Sequence, residues 1–271
     1  MLDSQAEAWI SRWRLTPDGG PFSTPHTGSL LVPVLHEGAP AILKITAEEE
    51  EMRGANLMVW YGGEGAARVL AREGPALLLE RLTGTRDLAQ MARTGHDADA
   101  SRIICGVVAR LHAPRKATPP ASLVPMSVWF RQLEPAAARY SGILAKSAAA
   151  ARALLGSPQE IVALHGDVHH GNVLDGGDRG WLAIDPKGVL GERGFDYANL
   201  FRNPDAAVAA APGRLQRQVR VVAEEGKLDP KRLLTWILAY AGLGAAWTMD
   251  SGGEDAAGLT IAAAAASELG I

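Results

Sequence analysis

The chain has almost no cysteine. Of its 271 residues only Cys105 carries a thiol, so neither an intramolecular disulfide nor a cysteine-based zinc cluster can form. Cys105 stands in the apolar run IICGVV and reads as a small buried hydrophobe. A basic excess is also missing. Lys and Arg number 27 against 30 Asp and Glu, a formal net charge of -3, which argues against nucleic acid as a partner. No run of about 18 apolar residues occurs, so no transmembrane helix and no membrane partner are expected. MLDSQAEAWISRWRL lacks a basic start followed by an apolar stretch, and a cytoplasmic protein is the default expectation. There is no internal repeat, and no histidine follows His170.

What is present suffices for a sizeable core. Apolar residues make up 47% of the chain, enough for one large domain or two lobes around a cleft. Residues 1–15 read as a helix with Trp9 and Trp13 on one face, placed there for packing. TPDGGPFSTPHTGS reads as loop and turn. SLLVPVL and PAILKIT follow as strands around the turn HEGA, and Pro33 suggests an edge strand or a bulge. A helix starts near Glu48, with acidic residues crowding its first turn, where the helix dipole favours them. AARVLARE and PALLLERL read as two more strands. Beyond residue 82 the pattern turns helical at 86–112, 127–155 and after 206, with a short β-type region at 161–186. The expected architecture is therefore α+β. Residues 1–82 form a small, mostly antiparallel sheet with one main helix, and residues 83–271 a larger, mostly helical part.

ALHGDVHHGNVL, residues 163–174, concentrates three histidines, an aspartate and an asparagine between apolar runs. As a metal cluster it lacks partners, because the other histidines lie far upstream in unrelated contexts. As a catalytic loop it has them. Asp185 follows Asn172 at the end of WLAI, and a β-hairpin turning at DGGD would bring the two together. Such an oxygen pair suits Mg²⁺, which takes one or two protein ligands besides phosphate oxygens and water. Asp167, a short loop away, could accept the proton of an incoming hydroxyl.

H-x-D-x-x-x-x-N followed by an aspartate after a turn resembles the signature of the bilobal protein-kinase-like fold. The form HGD-x-H-x-x-N resembles its aminoglycoside phosphotransferase branch. GWLAIDPKGVLGERGFDYANLF resembles the streptomycin (aminoglycoside) 6-phosphotransferases, within the aminoglycoside/hydroxyurea antibiotic resistance kinases. The resemblance extends over AILKIT, RGANLMVW, GGEGAARVL, ALLLERL and AAWTMDSG, nearly the whole chain.

The resemblance implies roles. Lys44, on an otherwise apolar strand, would hold the α- and β-phosphates of ATP and pair with a helix glutamate; the alternative is a lysine reaching off an edge strand. Glu51 is the candidate partner, because it shares a face with Ala55 and Met58; Glu50 is the next choice. Asp167 would be the catalytic base. Asn172 and Asp185 would be the Mg²⁺ ligands, and His165 and Asp196 structural supports. Adenine would meet backbone groups around Glu80 and Leu82. A kinase-type glycine-rich loop is absent; Thr27, Gly28 and Ser29 in STPHTGS are the candidate phosphate contacts. Lys187, in DPK, could meet a phosphate or a carboxylate. No catalytic role follows for His169 or His170.

The implied substrate is a cationic aminoglycoside bearing guanidinium groups, phosphorylated on its 6-hydroxyl, with antibiotic resistance as the outcome. Its site should present carboxylates and stacking surfaces. Candidates are Glu192, Asp196, Asp205 and Asp250, with Trp247, Trp129 and Trp236; core packing is the alternative for each tryptophan. Rival readings are a kinase of this branch for another hydroxylated metabolite or hydroxyurea, and a nucleotide-binding pseudokinase. The intact Lys44, Asp167, Asn172 and Asp185 speak against the pseudokinase.

Overall fold

The structure is a computed structural model that describes residues 4–23 and 28–271; Thr27 lies outside the described residues. Helix α1 (Ser4–Arg12) is followed by β1 (Thr16–Pro17), β2 (Phe22–Ser23), β3 (Leu30–His36) and β4 (Ala39–Ile45). Then come α2 (Glu49–Tyr61), β5 (Val69–Glu73) and β6 (Ala76–Glu80). The strands form one antiparallel sheet in the order β1-β3-β4-β6-β5, with β2 also paired to β3. Pro33 lies inside β3, not on an outer edge. Its carbonyl accepts from Asp18 N (2.9 Å) in the gap between the short partners β1 and β2, so its missing N–H breaks no ladder.

Strand parity decides where Lys44 points. Ala41, Leu43 and Ile45 face an apolar core shared with Val32, Val34, Leu78 and Ala6 of α1. Lys44, of opposite parity, leaves the other face of the sheet and meets α2. Along α2, Leu57, Met58 and Tyr61 join a second, larger core formed with the rest of the chain.

That larger part holds α3 (Leu88–Arg93), α4 (Asp97–Leu111), β7 (Val124–Pro125), α5 (Met126–Trp129), α6 (Leu133–Tyr140) and α7 (Ile143–Gly156). It continues with β8 (Ile161–Leu164), β9 (Val173–Asp175), β10 (Trp181–Ala183), β11 (Val189–Glu192) and α8 (Phe195–Ala198). It ends with α9 (Ala206–Ala209), α10 (Arg214–Gly226), α11 (Pro230–Asp250) and α12 (Ala256–Leu269). The expected helix over 127–155 is three helices: a turn at 130–132 separates α5 from α6, and Ser141 and Gly142 at positive φ separate α6 from α7. The expected hairpin is present as β9 and β10, with Trp181 opposite Asp175. Strand β11 was not expected. It is short and contains a glycine, yet it bridges β7 and β8 and so supports the loop after β8. No described helix is long and apolar enough to cross a membrane.

One close approach sets the distance between α2 and the catalytic region. A Cβ on Gly54 would stand 2.0 Å from the backbone oxygen of Pro186, so only glycine lets α2 lie against the DPK turn. Gly54→Ala should raise intrinsic helix propensity by about 1 kcal/mol yet displace α2. Steady-state turnover is expected to fall about 10²-fold, with far-UV circular dichroism unchanged.

Candidate active site

The loop from His165 to Asn172 leaves β8 and is held from below by one carboxylate. Asp196, in the first turn of α8, accepts from His165 N (2.9 Å) and Gly166 N (2.8 Å). His112, at the end of α4, places Nε2 2.8 Å from the same carboxylate. His165 Nε2 donates to Ile184 O (2.9 Å), while its Nδ1 accepts from Asp167 N (3.2 Å). That tautomer commits both ring nitrogens. Burial pushes the His165 pKa down, so the ring is a neutral brace at physiological pH.

Asp167 has both oxygens oriented. Asn199 Nδ2 donates to Oδ1 (2.7 Å), and Asn172 Nδ2 donates to Oδ2 (3.2 Å) and to the Asp167 carbonyl (2.9 Å). Asn199 did not emerge from the sequence. It lies three residues after Asp196, one helical turn on, and that spacing is the signal that could have found it.

Lys44 sits between two carboxylates, ion-paired to Glu51 on α2 and to Asp185 after β10. Glu51, not Glu50, is its partner. Lys187 closes the group from the other side, 3.4 Å from Glu51 Oε1, 3.6 Å from Asp185 Oδ2 and 3.6 Å from Glu50 Oε1. Burial works against the Asp185 charge, but Lys44 and Lys187 hold its carboxyl down at about 2. Burial also works against Lys187, yet Asp185 and Glu51 keep its pKa above the ordinary lysine value. Asp185 adopts φ +60°, a left-handed conformation uncommon outside glycine and most tolerated by Asp and Asn.

The backbones of Asn172 and Asp185 run side by side at the mouth of the β9–β10 hairpin, where Ile184 N, one residue before Asp185, donates to Asn172 O (2.9 Å). With Nδ2 of Asn172 committed to Asp167, its Oδ1 is left as an acceptor. Among the described residues no group of three or more His, Cys, Asp or Glu could hold a metal. An amide oxygen beside one ionised carboxylate does fit Mg²⁺, which draws its other ligands from phosphate and water.

Asp167 and Gly166 open on a cleft of about 610 Å³, with Glu49 and Glu50 of α2 on one side and Trp129, Tyr240 and Trp247 on another. Several expected residues are elsewhere. Gly28 and Ser29 line a separate groove of about 300 Å³ with Thr46 and Glu48. At the crossing to the helical part, Glu80 N donates to Arg68 O (3.0 Å), so that amide is committed to the sheet. The Leu82 amide has no backbone partner among the described residues. Glu192 is corrected outright. Only 4% exposed, it accepts from Arg232 Nε (2.6 Å), Trp236 Nε1 (2.8 Å) and Gln159 N (2.9 Å), away from the cleft. Its place on β11, pointing at α11, makes it a structural ion pair. Asp250 is exposed at the end of α11 and does not line the cleft. Asp205 caps α9 and pairs with Arg93, and Trp236 is core. His169 lies 3.8 Å from Asp167, while His170 is buried with no hydrogen-bond partner among the described residues.

A family model for aminoglycoside/hydroxyurea antibiotic resistance kinases matches residues 12–252. The chain belongs to that family. It is 49% identical over 248 residues to a streptomycin 3''-kinase of Klebsiella pneumoniae, covering 90% of this chain and 92% of that one. It is 32% identical over 259 residues to a streptomycin 6-kinase of Streptomyces griseus, covering 90% and 81%. Among solved structures, the aminoglycoside phosphotransferase APH(3'')-Id from Streptomyces rimosus, in complex with ADP and streptomycin, superposes with a TM-score of 0.59. It is 19% identical and covers 90% of this chain and 99% of that one, which shows the shared kinase-like fold.

Two expectations follow for this family member. Asn199→Ala removes a donor from Asp167, and kcat should fall about tenfold or more with the nucleotide KM unchanged. Arg232→Met leaves Glu192 buried without its cation and should cost about 3 kcal/mol in urea unfolding. Although burial alone would raise it, hydrogen bonds from Arg232 and Trp236 bring the Glu192 pKa below the ordinary glutamate value. The stabilisation from a depressed carboxyl is present above the unfolded value and lost as pH falls through the folded one. The deficit of Arg232→Met should therefore shrink in acid.

Proposed function

We propose that this protein is an ATP-dependent O-phosphotransferase that transfers the γ-phosphoryl group to a hydroxyl of streptomycin. The observation that carries the reading is Asp167, held by two amides at the floor of a large aromatic-walled cleft, beside the Lys44–Asp185 ion pair. Asp167 would accept a hydrogen bond from the substrate hydroxyl and then its proton. As the new O–P bond forms, the bond from the γ-phosphorus to the bridging oxygen breaks, and ADP leaves. Asn199 and Asn172 keep the carboxylate turned toward the hydroxyl. Lys44 would exchange Asp185 for the α- and β-phosphates and stay on Glu51. Asn172 and Asp185 would hold Mg²⁺, whose contribution when bound is to offset the negative charge of the phosphates. Catalysis then rests on positioning and charge.

The family resemblance implied the 6-hydroxyl. The relative at 49% identity is a streptomycin 3''-kinase, against 32% for a 6-kinase, and this favours the 3''-hydroxyl. Loss of drug action and an intracellular role in resistance follow as part of the same proposal.

The test is ADP release by purified protein with Mg²⁺-ATP, with and without streptomycin, and the product's phosphate position by ³¹P–¹H NMR. Streptomycin-dependent turnover, a 3''-phosphate and loss of at least about 10²-fold in Asp167→Ala are expected. A 6-phosphate would restore the first expectation. Nucleotide binding without streptomycin turnover would sink the substrate assignment.

A further inference from the structure

The cleft has few carboxylates, and their origin is unexpected. Of the acids on the helical part, Glu192 is bound to Arg232, Asp196 to the catalytic loop, Asp205 to Arg93, and Asp250 lies off the cleft. The cleft's acidic lining is Glu49, Glu50 and Asp167. Asp167 has the hydroxyl to serve. We propose that the first turn of α2 is the acidic wall of the substrate site, with Glu49 the principal carboxylate for a substrate guanidinium and Trp129 and Trp247 the aromatic wall. This rests on the streptomycin reading above.

The neighbouring charges single out Glu49. Glu50 is already partly neutralised, 3.8 Å from Arg53 and 3.6 Å from Lys187. Glu49 is exposed and in no ion pair among the described residues. Two of the cations lining the cleft are occupied as well. Arg53 donates to Lys187 O (2.9 Å), and Lys187 faces Glu51 and Asp185. Arg131, between α5 and α6, has no carboxylate partner among the described residues and would repel a guanidinium, which places that group toward α2. The dipole at the start of α2 disfavours a cation, but it amounts to about half a charge against the full, unpaired charge of Glu49.

The aromatic wall suits the same group. Trp129 and Trp247 meet at 84° with centroids 5.6 Å apart, so the pair offers an indole face and an indole edge at one corner. A guanidinium can lie flat on such a face while its N–H groups point sideways to a carboxylate. Charge-assisted pairing of this kind gives orientation as well as affinity.

The experiment is steady-state kinetics of the full chain with streptomycin and Mg²⁺-ATP. In Glu49→Gln the streptomycin KM should rise about tenfold, with kcat within about twofold and the ATP KM unchanged. Glu49→Lys should raise it further. The unsubstituted chain should lose streptomycin affinity as KCl is raised, and Glu49→Gln should lose less. Trp129→Leu should raise the streptomycin KM while sparing the ATP KM. An unaltered streptomycin KM in both Glu49 variants overturns the proposal and leaves the streptomycin reading standing. Absence of streptomycin turnover by the unsubstituted chain overturns both.

Discussion

A single buried carboxylate underlies the site. Asp196 is 1% exposed, and an isolated charge at such depth would be expelled or neutralised. It is retained because two backbone N–H groups and an imidazole converge on it. Those amides belong to His165 and Gly166, so meeting the needs of Asp196 fixes the direction in which the chain leaves β8. Asp167 is the next residue. His165 then uses its ring to hold Ile184 and its carbonyl to hold Lys187 N (2.7 Å), which fixes the backbone on both sides of Asp185.

The second element is an alternation of charge. Glu51, Lys44, Asp185 and Lys187 form a closed array in which each cation touches two carboxylates. An isolated buried pair stabilises little, because desolvation offsets attraction. The array does more than stabilise, since its members come from β4, α2 and the segment after β10. It sets the mutual position of three elements whose backbones contribute no catalytic group themselves. Gly54 allows this by letting α2 close onto the Pro186 carbonyl.

Much of this was legible in the chain because local patterns determined it. A lysine on the otherwise apolar strand AILKIT stood out, the i+4 and i+7 spacing chose Glu51 over Glu50, and the DGGD turn brought Asn172 to Asp185. What was not legible depends on contacts far apart in sequence. Glu192 reads as a free acid near the catalytic motif, and nothing local announces Arg232, forty residues later, as its partner. β11 was missed because a strand of four residues with a glycine has too little period to show. Asn199 lies in GFDYANLF, where the resemblance gives a role only to Asp196, and the acidic first turn of α2 reads as a response to the helix dipole until the cleft is seen beside it.

The β9–β10 hairpin is bound on every side. Gly84 N donates to Asp175 O (3.0 Å), and a Cβ on Gly84 would collide with the Asp175 carboxylate at 2.1 Å. Arg86 grips that carboxylate at 2.7 and 2.8 Å, and Arg179 pairs with Glu80. Ala183 exchanges backbone hydrogen bonds with Gly65 and Ala67, both 2.9 Å. The hairpin is thus stitched to the sheet side of the molecule while His165 holds its far end to the helical side. A free swing of one part against the other would break these bonds together. The course of the backbone into Asp185 is therefore set when the chain folds, and what an arriving ligand rearranges there is side chains such as Lys44.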